Sequence, residues 1–190
     1  MNAEQEALGA LLPKRLNGNE SFHDGAIQTT YSVNSFWSWA YSSLAANNLR
    51  GHLAEYIVAS ALGVADDSQR IEWDDYDLMA FGLKIEVKSA AYLQQWNQDR
   101  LSSIIFNIAP SYREEKPRRI ADVYVFCVLT PKDKRELDPL NLAQWDFYVL
   151  PTRILETLGP QKTITLSALR ELKPHECHHV ELKETIQNSK

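Results

Sequence analysis

Apolar residues recur with a helical period over residues 35–62, and this pattern predicts one helix, or two helices broken near residues 46–50. Gly63 follows the last apolar position, where a helix C-cap favours glycine. Residues 1–35 contain the turn signals NGNE and HDG and show no clear period, which indicates an irregular or partly helical N-terminal extension. The first third of the chain is therefore predicted to be helical after a loop-rich start.

Short apolar runs with strand character begin near residue 71. Residues 71–80 and 83–90 flank Phe81-Gly82, a pair that is typical of a hairpin turn. The run ADVYVFCVLT at residues 121–130 is the most apolar and β-branched, which predicts a central strand. Two further strands are predicted at residues 103–108 and 145–150.

The C-terminal part of the chain combines helix signals with polar segments. A short helix is predicted over residues 151–158, and a second helix follows Thr165 or Ser167 as its N-cap. Residues 173–190 are polar and carry no strong pattern. Together the elements predict one α/β domain over residues 1–190, in which helices flank a mixed β-sheet of about five strands.

Composition and charge narrow the class of protein. Of the 190 residues, 44% are hydrophobic and 24% are charged, as in ordinary globular domains. No apolar run reaches the roughly 18 residues that cross a bilayer, so no membrane contact is expected. The N-terminal stretch lacks the order of a secretory signal and two cysteines make no disulfide framework, so a cytoplasmic location is expected. The net charge of −5 argues against a protein that coats nucleic acid non-specifically.

The strand after the predicted hairpin carries a carboxylate and an ammonium on one face. If Ile85 and Val87 point to the core, then Glu86 and Lys88 lie on the opposite face, about 7 Å apart. Asp77 lies near the end of the preceding strand and can approach the same face across the hairpin. Two carboxylates held close together repel each other unless a cation neutralises them. The pattern therefore predicts a site for a divalent metal ion.

The expected metal is Mg²⁺, for which Mn²⁺ can substitute, because Mg²⁺ takes hard oxygen ligands and keeps waters for a substrate phosphate. A bound metal ion acidifies water, and Lys88 can orient that water or stabilise charge on phosphate oxygens. Glu55 is a third candidate acid. On a helical wheel it lies roughly 20° from Leu62, at the edge of the apolar arc rather than on the solvent side.

Four residues in this order resemble the PD-(D/E)XK nuclease superfamily, which has the restriction-endonuclease-like fold. They are Glu55 in RGHLAEYIVASALG, Asp77 in WDDYDL, and Glu86 and Lys88 in KIEVKS. The resemblance covers about residues 45–158 and is closest to small bacterial members. It implies a metal-dependent nuclease in which all four residues are catalytic, with Asp77, Glu86 and Glu55 as metal ligands and Lys88 as the catalytic lysine.

The sequence departs from the superfamily pattern in two places. Tyr76 stands where a proline usually precedes the aspartate. No Gln-x-x-x-Tyr follows Lys88, which puts a RecB-like exonuclease in doubt and favours an endonuclease, with Gln94 as a weak substitute. The resemblance also favours DNA as the substrate.

Contact with nucleic acid requires cations, because phosphate groups are bound largely by charge. The candidates are Gln94, which lies on the strand parity of Glu86, and four basic residues, Arg113, Lys116, Arg118 and Arg119. A solvated surface loop is the alternative interpretation of these basic residues. By analogy, a homodimer would place two such patches on one duplex.

Other interpretations of the acidic and metal-ligating residues stay open. Asp77, Glu86 and Lys88 can form a salt-bridge cluster in a catalytically inactive module that binds nucleic acid or another protein. The tail HECHH, which includes His178 and His179, permits a zinc-dependent regulator, although no second ligand pair accompanies it.

Overall fold

The computed structural model describes residues 14–66, 75–111 and 118–189 of the chain. The chain divides into two compact units, residues 1–42 and 43–190, and each is described by itself. The single nuclease-like domain expected from the sequence stays a prediction. Within the described residues, no helix is both long enough and apolar enough to span a membrane.

A β-hairpin followed by a helix forms the described part of the N-terminal unit. Strands β1 (Ser21–Asp24) and β2 (Ile27–Ser32) pair antiparallel, and α1 (Val33–Tyr41) follows directly. The structure therefore differs from the irregular or partly helical extension expected before residue 35. Both strands are mostly exposed, so they lack the alternation of apolar and polar residues that marks a half-buried strand.

Helix α2 (Asn47–Leu62) opens the C-terminal unit. It ends at Gly63, which has a φ of 76° and donates its N–H to the carbonyl of Ser60 at 3.1 Å. The predicted C-cap is thus confirmed, because only glycine adopts this left-handed conformation without steric cost. The break between α1 and α2 lies at residues 42–46, just before the expected position.

A five-stranded mixed sheet organises the C-terminal unit, which confirms the predicted α/β class. The strands of this unit are β3 (Leu78–Ala80), β4 (Leu83–Ala91), β5 (Ile105–Asn107), β6 (Val123–Leu129), β7 (Trp145–Pro151), β8 (Thr163–Thr165) and β9 (His175–Cys177). The order in the sheet is β3-β4-β6-β7-β9; β4 and β6 are parallel, and the other neighbouring pairs are antiparallel. All seven residues of β6 are buried, as predicted for a central strand.

Two strands differ from the sequence prediction. The strand expected at residues 103–108 does not join the main sheet; β5 pairs with β8 in a separate two-stranded sheet. The fifth strand of the main sheet is β9, which lies in the segment that the sequence shows only as a polar tail. Since β9 is three residues long and none of its residues is fully buried, its apolar pattern is too weak to be detected.

Two hydrophobic clusters cover the two faces of the main sheet. One face packs on α2 and on α5 (Leu182–Gln187), and this cluster includes Ile85 and Val87 of β4. The other face packs on α3 (Thr152–Glu156), α4 (Leu166–Glu171) and the β5–β8 sheet. The sheet is therefore the middle layer of the unit. Glu55 belongs to α2, which packs on the face that Ile85 and Val87 share.

Candidate active site

The β3–β4 hairpin sets the position of the acidic residues. Phe81 and Gly82 form its turn with φ values of 55° and 74°, as two-residue hairpin turns of type I′ require. Ile85 and Val87 are buried against α2, so the alternation of a strand directs Glu86 and Lys88 to the other face of the sheet. The predicted hairpin and the predicted face are both found in the structure.

Asp77 is held beside β4 by two hydrogen bonds. Its N–H donates to the carbonyl of Ile85 at 3.0 Å, and its carboxylate Oδ2 accepts the N–H of Val87 at 2.7 Å. Since β3 begins at Leu78, the Asp77 side chain takes the place of the strand partner that Val87 would otherwise lack. The carboxylate is thereby fixed against the backbone of β4, next to Glu86.

Glu86 and Lys88 form an ion pair in which Lys88 Nζ donates to Glu86 Oε1. The side chains are 19% and 28% exposed, respectively, so the pair is partly shielded from water and still accessible to a ligand. The ammonium is two residues along the strand from the carboxylate, as the sequence indicates. The pair therefore presents one negative and one positive group on the same face of β4.

The electrostatic field at Glu86 disfavours its charge. Burial raises the pKa of Glu86 above its ordinary value, the Lys88 ammonium lowers it, and the carboxylates of Asp77 and Glu55 raise it further. Two neighbouring carboxylates therefore disfavour the charged form of Glu86. An additional cation at this position would relieve the repulsion.

Glu55 is half-buried on α2 and affects the pKa of Glu86, but it does not complete a metal cluster. Over the part of the chain that the structure describes, no group of three or more His, Cys, Asp or Glu side chains is placed to hold one metal ion. The same observation gives no support to zinc in the HECHH tail, where His175 and Cys177 belong to β9. Asp77, which is bonded to the backbone of β4, and Glu86 on β4 are thus the two acids that lie close together.

The comparison with known proteins supplies the family. The family model of bacteriophage T4 endonuclease IV matches residues 19–168, which is most of the 190-residue chain. The chain belongs to the bacteriophage T4 endonuclease IV family. A search of curated proteins finds no match. Membership of an endonuclease family indicates nuclease activity on nucleic acid, and the matched segment contains Glu55, Asp77, Glu86 and Lys88.

Of the basic residues predicted to contact nucleic acid in this endonuclease IV family member, Arg113 and Lys116 lie outside the described residues. Arg118 is exposed and pairs its backbone with Ser111 in an isolated β-bridge. Arg118 therefore remains a candidate for contact with phosphate.

Arg119 requires a correction, because the structure places it in the interior. Its side chain is fully buried and forms an ion pair with Glu156 at 3.6 Å. Its guanidinium also donates to backbone carbonyls, those of Ile108, Leu155, Gly159 and Gln161. Arg119 thus connects the loop after α3 with Ile108, which follows β5. Its donors are used within the protein and are not offered to a phosphate.

Gln94 lines a cleft of about 310 Å³. The amide of Gln94 donates to the carbonyl of Ala91 at 3.0 Å, which fixes its side chain at the C-terminal end of β4. Lys88 lines the same cleft, as do Asn47 and Arg50 at the start of α2. The cleft therefore connects the ion pair on β4 with the first turn of the helix that carries Glu55.

Arg50 is the residue of this cleft that the sequence analysis did not select. A signal was present: Arg50 lies four residues before Ala54, a residue of the predicted apolar arc of α2, so the arginine belongs to the buried side of the helix. A buried cation is rare unless it has an acidic partner or a functional role.

Proposed function

We propose that this chain is a Mg²⁺-dependent endonuclease of the PD-(D/E)XK type, which hydrolyses phosphodiester bonds of nucleic acid in the cytoplasm. The observation that carries the proposal is the arrangement on β4. The carboxylate of Asp77 is fixed by Val87 N–H beside the partly buried ion pair of Glu86 and Lys88. DNA is the proposed substrate, because the residue pattern resembles nucleases that act on DNA.

The residues present fit a hard divalent cation. Asp77 and Glu86 offer carboxylate oxygens, the ligands that Mg²⁺ prefers, and the field that raises the pKa of Glu86 favours added positive charge. Glu55 adds to this negative field from α2. When bound, Mg²⁺ would supply charge that acidifies water and offsets the charge of the phosphate oxygens.

The chain's own residues would position the reactants and stabilise their charge. The hydrogen bond from Val87 N–H to Oδ2 fixes the orientation of the Asp77 carboxylate. The position of its second oxygen, Oδ1, is thereby fixed as well. Lys88 is directed toward the site by Glu86 and can donate a hydrogen bond to a phosphate oxygen or to the attacking water. Stabilisation of the charge that develops on the phosphate is the main contribution expected from Lys88.

The test of the proposal is cleavage of plasmid and linear DNA, single-stranded and double-stranded, with Mg²⁺ or Mn²⁺. We expect Lys88→Ala to lower the cleavage rate by about 100-fold or more, because a donor to the transition state is lost. Lys162→Ala is the matched control, since Lys162 is an exposed lysine in the loop before β8. Cleavage that is independent of added metal, or equal in Lys88→Ala and wild type, would contradict the proposed mechanism.

A catalytically inactive nucleic-acid-binding module is the second candidate. It is favoured by one observation, the lack of a three-ligand metal group within the described residues. Calorimetric titration with Mg²⁺ and Mn²⁺ separates the two candidates, because an inactive module has no need for metal at Asp77 and Glu86. The proposal is made for one chain, since nothing in the described residues supports the homodimer expected by analogy.

A further inference from the structure

Arg50 is a buried cation without an acidic partner. Its residue is only 2% exposed, and no ion pair found among the described residues includes it. Its terminal nitrogens donate to the carbonyl of Ala45 at 3.4 Å and to the side chain of Asn47. Its Nε is buried and has no hydrogen-bond partner. The guanidinium therefore keeps both an unbalanced charge and a free donor.

Such an arrangement is costly unless a ligand completes it. Burial lowers the pKa of the Arg50 guanidinium, because the charged form is poorly solvated. An unsatisfied buried donor also destabilises the folded state. Arg119 provides a contrast within the same chain, since it is equally buried but has an acidic partner in Glu156 and four carbonyl acceptors.

The first turn of α2 adds a second feature that favours negative charge. Ala46 is the N-cap residue, and no side chain caps the first backbone N–H groups of this 16-residue helix. The N-terminus of a helix carries a partial positive charge and binds anions through these groups. Asn47 and Arg50, both in this turn, line the same cleft as Lys88.

We propose that this cleft is a phosphate subsite, in which Arg50 and the first turn of α2 bind a phosphate group of the nucleic acid next to the one that is cleaved. The inference rests on the proposed function, because it places the subsite beside Lys88. A phosphate fits the chemistry: a phosphodiester group is a monoanion with two non-bridging acceptor oxygens, and the guanidinium fork matches both. Arg50 acts here as a substrate-binding residue rather than as a group that takes part in bond cleavage.

The test is the affinity for fluorescently labelled oligonucleotides, single-stranded and duplex, measured by anisotropy in EDTA over a range of salt concentrations. For Arg50→Gln we expect the dissociation constant to rise about tenfold or more, since a charge-assisted contact with phosphate is lost. The slope of log affinity against log salt concentration should fall in magnitude by about one. Arg153→Gln, which removes an exposed arginine of α3, should change neither quantity.

A purely structural role of Arg50 predicts a different result. In that case Arg50→Gln lowers the melting temperature but leaves the salt slope as in wild type, and the inference is wrong. Arg50→Lys covers the case in which the glutamine variant does not fold. It keeps the charge and loses the planar fork, so weaker binding with an unchanged salt slope supports the subsite, whereas wild-type affinity overturns it.

The outcomes also separate this inference from the proposed function. If wild type cleaves and binds nucleic acid and Arg50→Gln does so equally well, the subsite alone is refuted. If wild type neither binds nor cleaves any nucleic acid with Mg²⁺ or Mn²⁺, the proposed function and the subsite fail together.

Discussion

The carboxylate of Asp77 has a structural task as well as the proposed catalytic one. It accepts the N–H of Val87 at 2.7 Å, one residue before β3 begins and beyond the last residue pair of β3 and β4. A lost acceptor would leave this partly buried N–H unsatisfied. Asp77 therefore contributes both to stability and to the proposed catalysis. Different substitutions of Asp77 distinguish the two roles.

We predict that Asp77→Ala lowers the free energy of unfolding by about 1–3 kcal/mol, the cost of an unsatisfied buried donor. Asp77→Asn keeps an oxygen acceptor for Val87 and should be closer to wild type in stability, yet equally inactive if the carboxylate binds metal. Urea unfolding and DNA cleavage measure the two effects. Asp75→Asn, two residues earlier in the same segment, is the control and should retain activity; an active Asp77→Asn would remove Asp77 from the mechanism.

At the scale of elements, the β3–β4 hairpin determines the site, because its turn fixes which residues of the two strands lie opposite each other. The register pairs Leu78 with Ile85 and Ala80 with Leu83, so Asp77 lies one position beyond the last pair. A shift of one residue would turn Glu86 and Lys88 into the core. Correct formation of the turn is thus a condition for the proposed site.

The turn itself leads to a stability prediction. Phe81 has a φ of 55°, which is unusual for an aromatic residue, and Gly82 has a φ of 74°. A Cβ atom at Gly82 would contact nothing within 4 Å, so Gly82→Ala is expected to cost about 1–2 kcal/mol through backbone strain alone. Phe81→Asn should stabilise, because asparagine is favoured at this position of the turn. Urea unfolding tests both, and equal stability of Gly82→Ala and wild type would contradict the strain.

Sequence patterns predicted those elements that have a strong hydrophobic signal. The apolar arc of α2, the turn at Phe81-Gly82 and the fully buried β6 were all detectable, and together they determine where Glu86 and Lys88 lie. The short strand β9 and the exposed hairpin of the N-terminal unit were not, because three-residue or exposed strands bury too few side chains to impose a period.

The burial of individual charged side chains was predicted less well than the helices and strands, for a physical reason. Arg118 and Arg119 are adjacent and chemically identical, yet one is exposed and the other buried among carbonyl oxygens. Local sequence does not encode which arginine is buried here, since three of the four acceptors of Arg119 come from residues 36–42 positions later in the chain. For Arg50 the helical pattern indicates burial, but the cleft that it lines is formed by three elements and cannot be read from the helix alone.

At the scale of the whole molecule, the charge of Glu86 should reduce the stability of the fold. The folded-state pKa of Glu86 is raised above its ordinary value of 4.5, mainly by burial and also by Asp77 and Glu55. For a raised pKa, the associated stability is fully present below the unfolded-state pKa and is lost as the pH rises through the folded-state pKa. Above this raised pKa the fold therefore carries an ionised group that its surroundings disfavour, as functional sites often do.

We predict that Glu86→Gln increases the free energy of unfolding at pH 7 in EDTA, while it abolishes cleavage. The difference in the free energy of unfolding between Glu86→Gln and wild type should be small near pH 4. It should grow as the pH rises through the raised pKa of Glu86 and should then stay constant. Urea unfolding at a series of pH values measures this difference, with Glu171→Gln as the control at an exposed position. A variant that is less stable than wild type at pH 7 would mean that the ion pair with Lys88 outweighs burial and the repulsion from the neighbouring acids. A stabilised but inactive variant would instead show that the chain keeps a costly carboxylate at this position for its chemistry.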